Sequence, residues 1–142
     1  MQLDKKAVFS LSRFKFKKFS FDDTVIDIEK GEAKFHLNTS GVFKAADSEY
    51  ILEFDFITSD PEYPDKPIIK ITLEAIFVFS DNVKSIEEIP DYFFSNAIAI
   101  LYPYLRSFIS SMTVQANDQP IILPAMNLSK LGDSLRDRTR VE

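Results

Sequence analysis

The chain has 142 residues, a formal net charge of -5, 45% hydrophobic and 27% charged residues, and no cysteine. It is long enough to bury a core unaided, and the missing cysteines exclude disulfides, thiolate metal sites and thiol nucleophiles. Lys5, Lys6, Arg13, Lys15, Lys17 and Lys18 face only Asp4 near the start, so the rest is acidic and offers nucleic acid no broad cationic face.

The scattered lysines also break any signal-peptide pattern, and no run reaches the roughly 20 apolar residues of a bilayer span. The expectation is one cytoplasmic domain over residues 1–142, without membrane insertion. Aromatic side chains are abundant, with 14 Phe and 5 Tyr but no Trp.

The first two-thirds of the chain reads as strands. From Val8 to Asp22, Phe14 and Phe16 alternate with Arg13, Lys15 and Lys17, and the parity then flips to Phe19 and Phe21. Side chains alternate faces with period two, so a flip at Lys17-Lys18 predicts a bulge. After a turn at Ile28 to Gly31, Ala33, Phe35 and Leu37 alternate with Glu32, Lys34 and His36. Asn38 to Ser48 is polar and reads as a loop. Tyr50, Leu52, Phe54 and Phe56 alternate with Glu53 and Asp55 as a half-buried strand. Three prolines between Ser59 and Pro67 mark a turn. Ile68 to Phe79 is a fourth strand, with Ile69, Ile71, Leu73, Phe77 and Phe79 on one parity. Ile68, Ile76 and Val78 make its other face apolar as well, which predicts cover on both faces at its ends. Short links between four strands predict an antiparallel sheet.

The period then changes to that of a helix. Pro90 and Asp91 suit a first turn. Phe94, Ile98, Leu101, Leu105, Phe108 and Met112 follow at steps of three and four. Pro103 lies inside this stripe, where it kinks or breaks a helix. Residues 119–124, Gln-Pro-Ile-Ile-Leu-Pro, read as a proline-bounded apolar loop. Asn127 or Ser129 is placed to cap a short helix carrying Leu128, Leu131 and Leu135. The charged tail over 136–142 is expected to fray.

No catalytic constellation emerges. His36 stands alone on a polar strand parity, so the sequence offers no metal site, and it implies no cofactor. Gly31, Gly41 and Gly132 do not cluster into a phosphate loop. Glu87-Glu88 precedes the long helix, where solvation and the dipole account for it, and Ser110-Ser111 sits mid-helix without an elbow turn. An enzyme built on a helix over a sheet would need an acid or base at the helix start, where only Asp91 and Asn96 stand. The apolar Ile121-Ile122-Leu123 loop is the unusual feature. A surface loop that can lift from an apolar groove predicts binding of unfolded polypeptide without covalent chemistry.

The helix and its following loop carry a family resemblance. Ile100-Leu101-Tyr102-Pro103-Tyr104-Leu105-Arg106, Ile109-Ser110-Ser111-Met112, and Pro120 through Leu123-Pro124-Ala125-Met126-Asn127 resemble the SecB family of export chaperones. Phe9-Ser10-Leu11-Ser12-Arg13 with Phe19-Ser20-Phe21-Asp22, and Glu32 through Leu37, resemble that family's first two strands. The resemblance implies an α+β fold, with a four-stranded antiparallel sheet packed with a long Pro-kinked helix and a short C-terminal helix. It implies a homotetramer, a dimer of dimers joined through Leu101, Leu105, Phe108, Ile109 and Met112 of the helix. Its substrate groove falls on Phe35, Leu37, Ile69, Ile71, Leu73, Leu128 and Leu131, with Ile122 and Leu123 in the connecting loop. Gly132 stands where the family often has an aromatic, which makes the groove shallower there.

The resemblance also implies docking to the translocation ATPase SecA through an acidic sheet face. Here Lys18 and Lys70 occupy two of those positions and only Asp22 keeps its sign, so weakened docking is expected. The function expected is that of an ATP-independent holdase for unfolded or export-bound chains. The alternative is a dedicated chaperone for one partner, such as an antitoxin of a toxin-antitoxin system.

Overall fold

The structure is a computed structural model, and it describes residues 8–22, 34–59, 65–80, 83–116, 118, 121–123 and 128–142. The turn at 28–31, Ala33 and the Pro120 and Pro124 to Asn127 parts of the loop motif lie outside them. The described residues form five strands: β1 (Phe9–Phe21), β2 (Lys34–Lys44), β3 (Glu49–Ser59), β4 (Pro67–Phe79) and β5 (Thr139–Val141). Two helices, α1 (Tyr92–Gln115) and α2 (Ser129–Asp137), lie between β4 and β5. The sheet order is β1-β4-β3-β2-β5. The first four strands pair antiparallel, whereas β5 runs parallel to β2.

The sheet therefore has five strands and is mixed, which corrects the four-stranded antiparallel expectation. The correction comes from the tail. Thr139 to Val141 pair with Gly41 to Phe43, and Thr139 Oγ1 meets Tyr50 Oη at 2.6 Å. Charge alone does not fray a segment whose backbone finds partners. The span from Asn38 to Lys44 is likewise strand rather than loop, because its register with β3 is unbroken. Its polar composition hid it. Gly41 is required there, since a Cβ would overlap the Tyr50 phenol.

The bulge expected at Lys17 is present, as the β1–β4 register shifts between Phe16 and Lys18. A second shift between Leu11 and Arg13 moves the inward set from Phe9 and Leu11 to Phe14 and Phe16. Extended through the ladders, the covered face is a grid of apolar rows. One row runs Leu11, Phe77, Tyr50, Phe43, and another runs Phe21, Ile69, Thr58, Phe35.

Helix α1 continues through Pro103. Proline removes the donor to the Ala99 carbonyl, but both residues lie on the exposed side, where water can serve that carbonyl. By length and composition α1 could cross a bilayer, contrary to the reading of the sequence. Its buried side, however, is embedded in this chain's own core. Phe93 packs against Phe9, Tyr50, Phe77 and Phe79, with ring centroids 4.8–5.5 Å apart. Further along, Tyr104 meets Phe14 at 4.5 Å and Phe108 stacks on Phe16 at 4.0 Å. Helix α1 thus crosses from one end of the sheet toward β1, and α2 lies against β2. Leu128, not Asn127 or Ser129, is the N-cap of α2, with no side-chain capping bond.

The opposite sheet face has no helix over it among the described residues. It carries Lys15, Lys17, Glu53, Glu74, Asp55, Lys70 and His36. Lys17 Nζ lies 3.1 Å from Glu74 and 3.7 Å from Glu53, and the bond to Glu74 raises the lysine's pKa above its ordinary value. Ile76 and Val78 are half-buried on this face, so only Ile68 of the expected apolar trio is buried.

Candidate functional site: an apolar corner between β2, α2 and the connecting segment

The residues proposed for binding fall into three environments. Ile69, Ile71 and Leu73 are at most 1% exposed, so they form the floor of the core and present no surface to a ligand. Phe35 and Leu37 on β2 and Leu128 and Leu131 at the start of α2 are half-buried and packed against that same core. Ile122 is 72% exposed. An apolar corner with a partly open rim results.

Sequence parity explains the rim. Phe35 and Leu37 share the covered parity of β2, but α1 has veered toward β1, and α2 is the helix that lies against β2. Phe35 stacks on Phe56, with centroids 6.1 Å apart, and keeps part of its ring in solvent. Gly132 is buried at the crossing of the two helices, where an added Cβ would lie 2.8 Å from the Ser95 Cα. Its smallness lets α2 sit close on α1.

Ile121, between the helices, is anchored to α1, which the sequence did not foretell. Ser110 Oγ donates to the Ile121 carbonyl at 3.0 Å, and the Ile121 N–H donates to Thr113 Oγ1 at 3.0 Å. Thr113 Oγ1 in turn donates to the Ile109 carbonyl. Leu123 is buried in the core at 4% exposure, so of the three aliphatics only Ile122 projects. The signal was present in Ser110 and Thr113, three apart on α1 and so on one helix face.

The expected helix interface also divides. Leu101, Leu105 and Ile109 are buried within this chain and have no surface to offer a second copy. Phe108 and Met112 are half-buried. The exposed apolar residues of α1 are Tyr92, Ile100, Tyr104 and Val114, and Arg106 is the helix's one charged side chain. These exposed residues were missed because the stripe was drawn through the helix's buried side.

Lys18, Asp22 and Lys70 are all exposed. A shallow pocket of about 100 Å³ is lined by Arg13, Phe14, Lys15, Glu74 and Ile76, and includes none of these three. It is remote from the corner. His36 is exposed, and Asp91 forms an ion pair with Arg136 at 3.4 Å. Glu88 accepts a bond from Ser85. Among the described residues no three His, Asp or Glu side chains are grouped to hold a metal. Tyr50, inside the core, has its phenol pushed well above its ordinary range by burial, opposed by the bond to Thr139.

Fold and site together define an α+β protein whose distinctive surface is an apolar corner at one end of a helix-covered sheet. Comparison with known proteins places this fold. A SecB-like chaperone of Mycobacterium tuberculosis, solved in complex with a ChAD peptide from an antitoxin, superimposes with a TM-score of 0.60 at 12% identity, covering 84% of this chain and 91% of that one. A protein of unknown function from Streptococcus agalactiae matches with a TM-score of 0.55 at 10% identity, over 84% of this chain and 98% of its own. The resemblance to SecB-like chaperones therefore holds at the level of the fold. An uncharacterized protein of Methanocaldococcus jannaschii is 33% identical over 64 residues, 45% of this chain. The match spans 41% of that relative's length. No protein-family model matches the chain.

Proposed function

We propose that this protein is a chaperone that holds extended, non-native polypeptide in the apolar corner without nucleotide. The observation that carries the reading is the set of half-buried Phe35, Leu37, Leu128 and Leu131 on a SecB-like fold. Burying one client Phe or Leu contributes about 1.5–3 kcal/mol, so several such contacts are needed to offset the cost of ordering the client. Multiple corners on one particle would supply them. On this reading copies associate as a dimer of dimers through the exposed apolar side of α1, since Tyr92, Ile100 and Val114 otherwise face water and Tyr104 is only partly covered by Phe14. Light scattering should then report a particle of four 16.3 kDa chains.

The test is aggregation of a heat-denatured, unrelated enzyme in the absence of nucleotide. Suppression by the purified protein supports the reading, and unhindered aggregation beside a folded protein overturns it. A dedicated chaperone for one partner is the second reading, favoured by the antitoxin peptide bound to the mycobacterial neighbour. Binding confined to one peptide, or a toxin-antitoxin pair beside the gene, would select it over a general holdase. Lys18 and Lys70 on the uncovered face support weak docking of SecA, because cations meet a partner site suited to anions. A tight, salt-sensitive SecA complex that depends on Asp22 would reverse that conclusion.

A further inference from the structure

The uncovered sheet face carries a row of side chains that the apolar corner does not use. Opposite partners in a ladder share a face, so the register lines up Arg13 on β1, Ile76 on β4, Ile51 on β3, Val42 on β2 and Arg140 on β5. Thr139, beside Gly41, bonds Tyr50 on the covered side, which puts Arg140 on the other. The three aliphatics are adjacent and half-buried, and both arginines are exposed. Among the described residues neither arginine makes an ion pair. The result is an apolar strip with a cation at each end, open to a partner.

Charge selects the chemistry of that partner. The chain as a whole is acidic at -5, yet Lys15, Lys18 and Lys70 add further exposed cations to this face. In the next row Glu74 and Glu53 share Lys17, so their charge is partly met within the sheet. A phosphate surface, whether nucleic acid or lipid, spreads its charge evenly and would press against Glu53 and Glu74 as well as the cations. A polypeptide can confine its carboxylates to the two ends of the strip. At the Arg13 end the shallow pocket offers an acidic side chain a place between Arg13 and Lys15, beside Ile76.

Spacing selects its conformation. Neighbouring strands lie about 4.8 Å apart, so the two arginine backbones are separated by about 19 Å. A helix rises about 5.4 Å per turn, so one laid across the strands sets about one residue over each. Positions i, i+3, i+7, i+10 and i+14 share one side of a helix and span about 21 Å, within reach of two long arginine side chains. An extended chain repeats a side only every ~6.6 Å and misses the strand spacing. We infer that this face docks an amphipathic helix of a partner protein, with apolar residues over Ile76, Ile51 and Val42 and a carboxylate on each of Arg13 and Arg140. The inference goes beyond the chaperone reading and stands apart from it, because Phe35 and Leu37 lie on the opposite face of the sheet.

The test uses a labelled helical peptide with Glu at the first and last of those five positions, Leu at the three between, and a hydrocarbon staple on the other side. Fluorescence anisotropy at low salt should show saturable binding that weakens at least about tenfold when both Glu are replaced by Lys. The double variant Arg13→Glu/Arg140→Glu should invert the preference, taking the Lys-ended peptide at least about tenfold more tightly than the Glu-ended one. Ile51→Thr should weaken the Glu-ended peptide at least about threefold. These side chains are exposed or half-buried, so each variant should keep a urea midpoint close to that of the wild type, which separates loss of the site from loss of the fold. No binding of the Glu-ended peptide, no inversion in the double variant, or indifference to Ile51→Thr would overturn the inference. Phosphatidylserine vesicles that displace the peptide and are themselves lost in the double variant would overturn it too, in favour of a membrane-facing surface. A wild type that binds the peptide but fails to suppress aggregation would remove the chaperone reading and leave this docking face standing.

Discussion

The two ends of the covered sheet face are built from similar residues and behave differently. At one end Phe93 sits among Phe9, Tyr50, Phe77, Phe79 and Phe94, and all but Phe9 are buried. At the other, Phe35 and Leu37 lie over Phe56 with part of their surface still open. The same aromatic composition thus stabilises one end and leaves binding surface at the other. What differs is cover: α1 begins over the first end and departs toward β1 before reaching the second.

The comparison can be broken at the closed end first. Phe93→Ala should destabilise the fold by about 3–5 kcal/mol in chemical denaturation, because five rings lose a shared neighbour and the site cannot collapse. Leu123→Ala, next in sequence to the exposed Ile122 but itself buried in the core, should lower stability by about 2–5 kcal/mol. If Leu123 were part of a freely lifting lid, the loss would instead be small. Gly132→Ala should cost about 1–3 kcal/mol, since the added methyl meets the Ser95 backbone and forces α2 away from α1.

Tyr50→Phe removes the 2.6 Å bond to Thr139 and should cost about 0.5–1.5 kcal/mol, with faster amide exchange in β5. It should also change the alkaline limit. Burial raises the Tyr50 pKa in the folded state above its ordinary value, so its contribution is complete below about pH 10 and is lost as pH rises further. Denaturation of the wild type should therefore steepen in that range and the variant should show less of it. Tyr102 and Lys17, both also raised, would carry the remainder. Least disruptive is Ile122→Ser, which should leave stability within about 0.5 kcal/mol while weakening client binding. Unchanged binding would place the client away from the connecting segment.

Much of the fold was legible because burial on one face imposes a period. Phe14, Phe16, Phe19 and Phe21 disclosed β1 and its bulge at Lys17, Tyr50 to Phe56 disclosed β3, and Phe94 to Leu105 disclosed α1. The shift between Leu11 and Arg13 escaped because the reading began at the Phe14 parity and gave Phe9 and Leu11 no separate weight. The second half of β2 escaped because Asn38, Ser40 and Gly41 are turn formers in isolation. The candidate site was legible in kind but not in membership. Parity marked Phe35, Leu37, Ile69, Ile71 and Leu73 alike, yet the last three became floor and only the first two became rim.

By itself the sequence determined the alternation of strands, the long helix with its proline, the lack of cysteine chemistry and the likeness to SecB-like chaperones. Each of these follows from local periodicity or from motif spacing, which neighbours along the chain suffice to express. Only the tertiary structure decided which apolar residues stay open, that Ser110 and Thr113 hold Ile121, and that Thr139 to Val141 join the sheet beside Gly41. Those outcomes depend on where α1 crosses the sheet and on backbone partners far apart in sequence, and no local pattern encodes either.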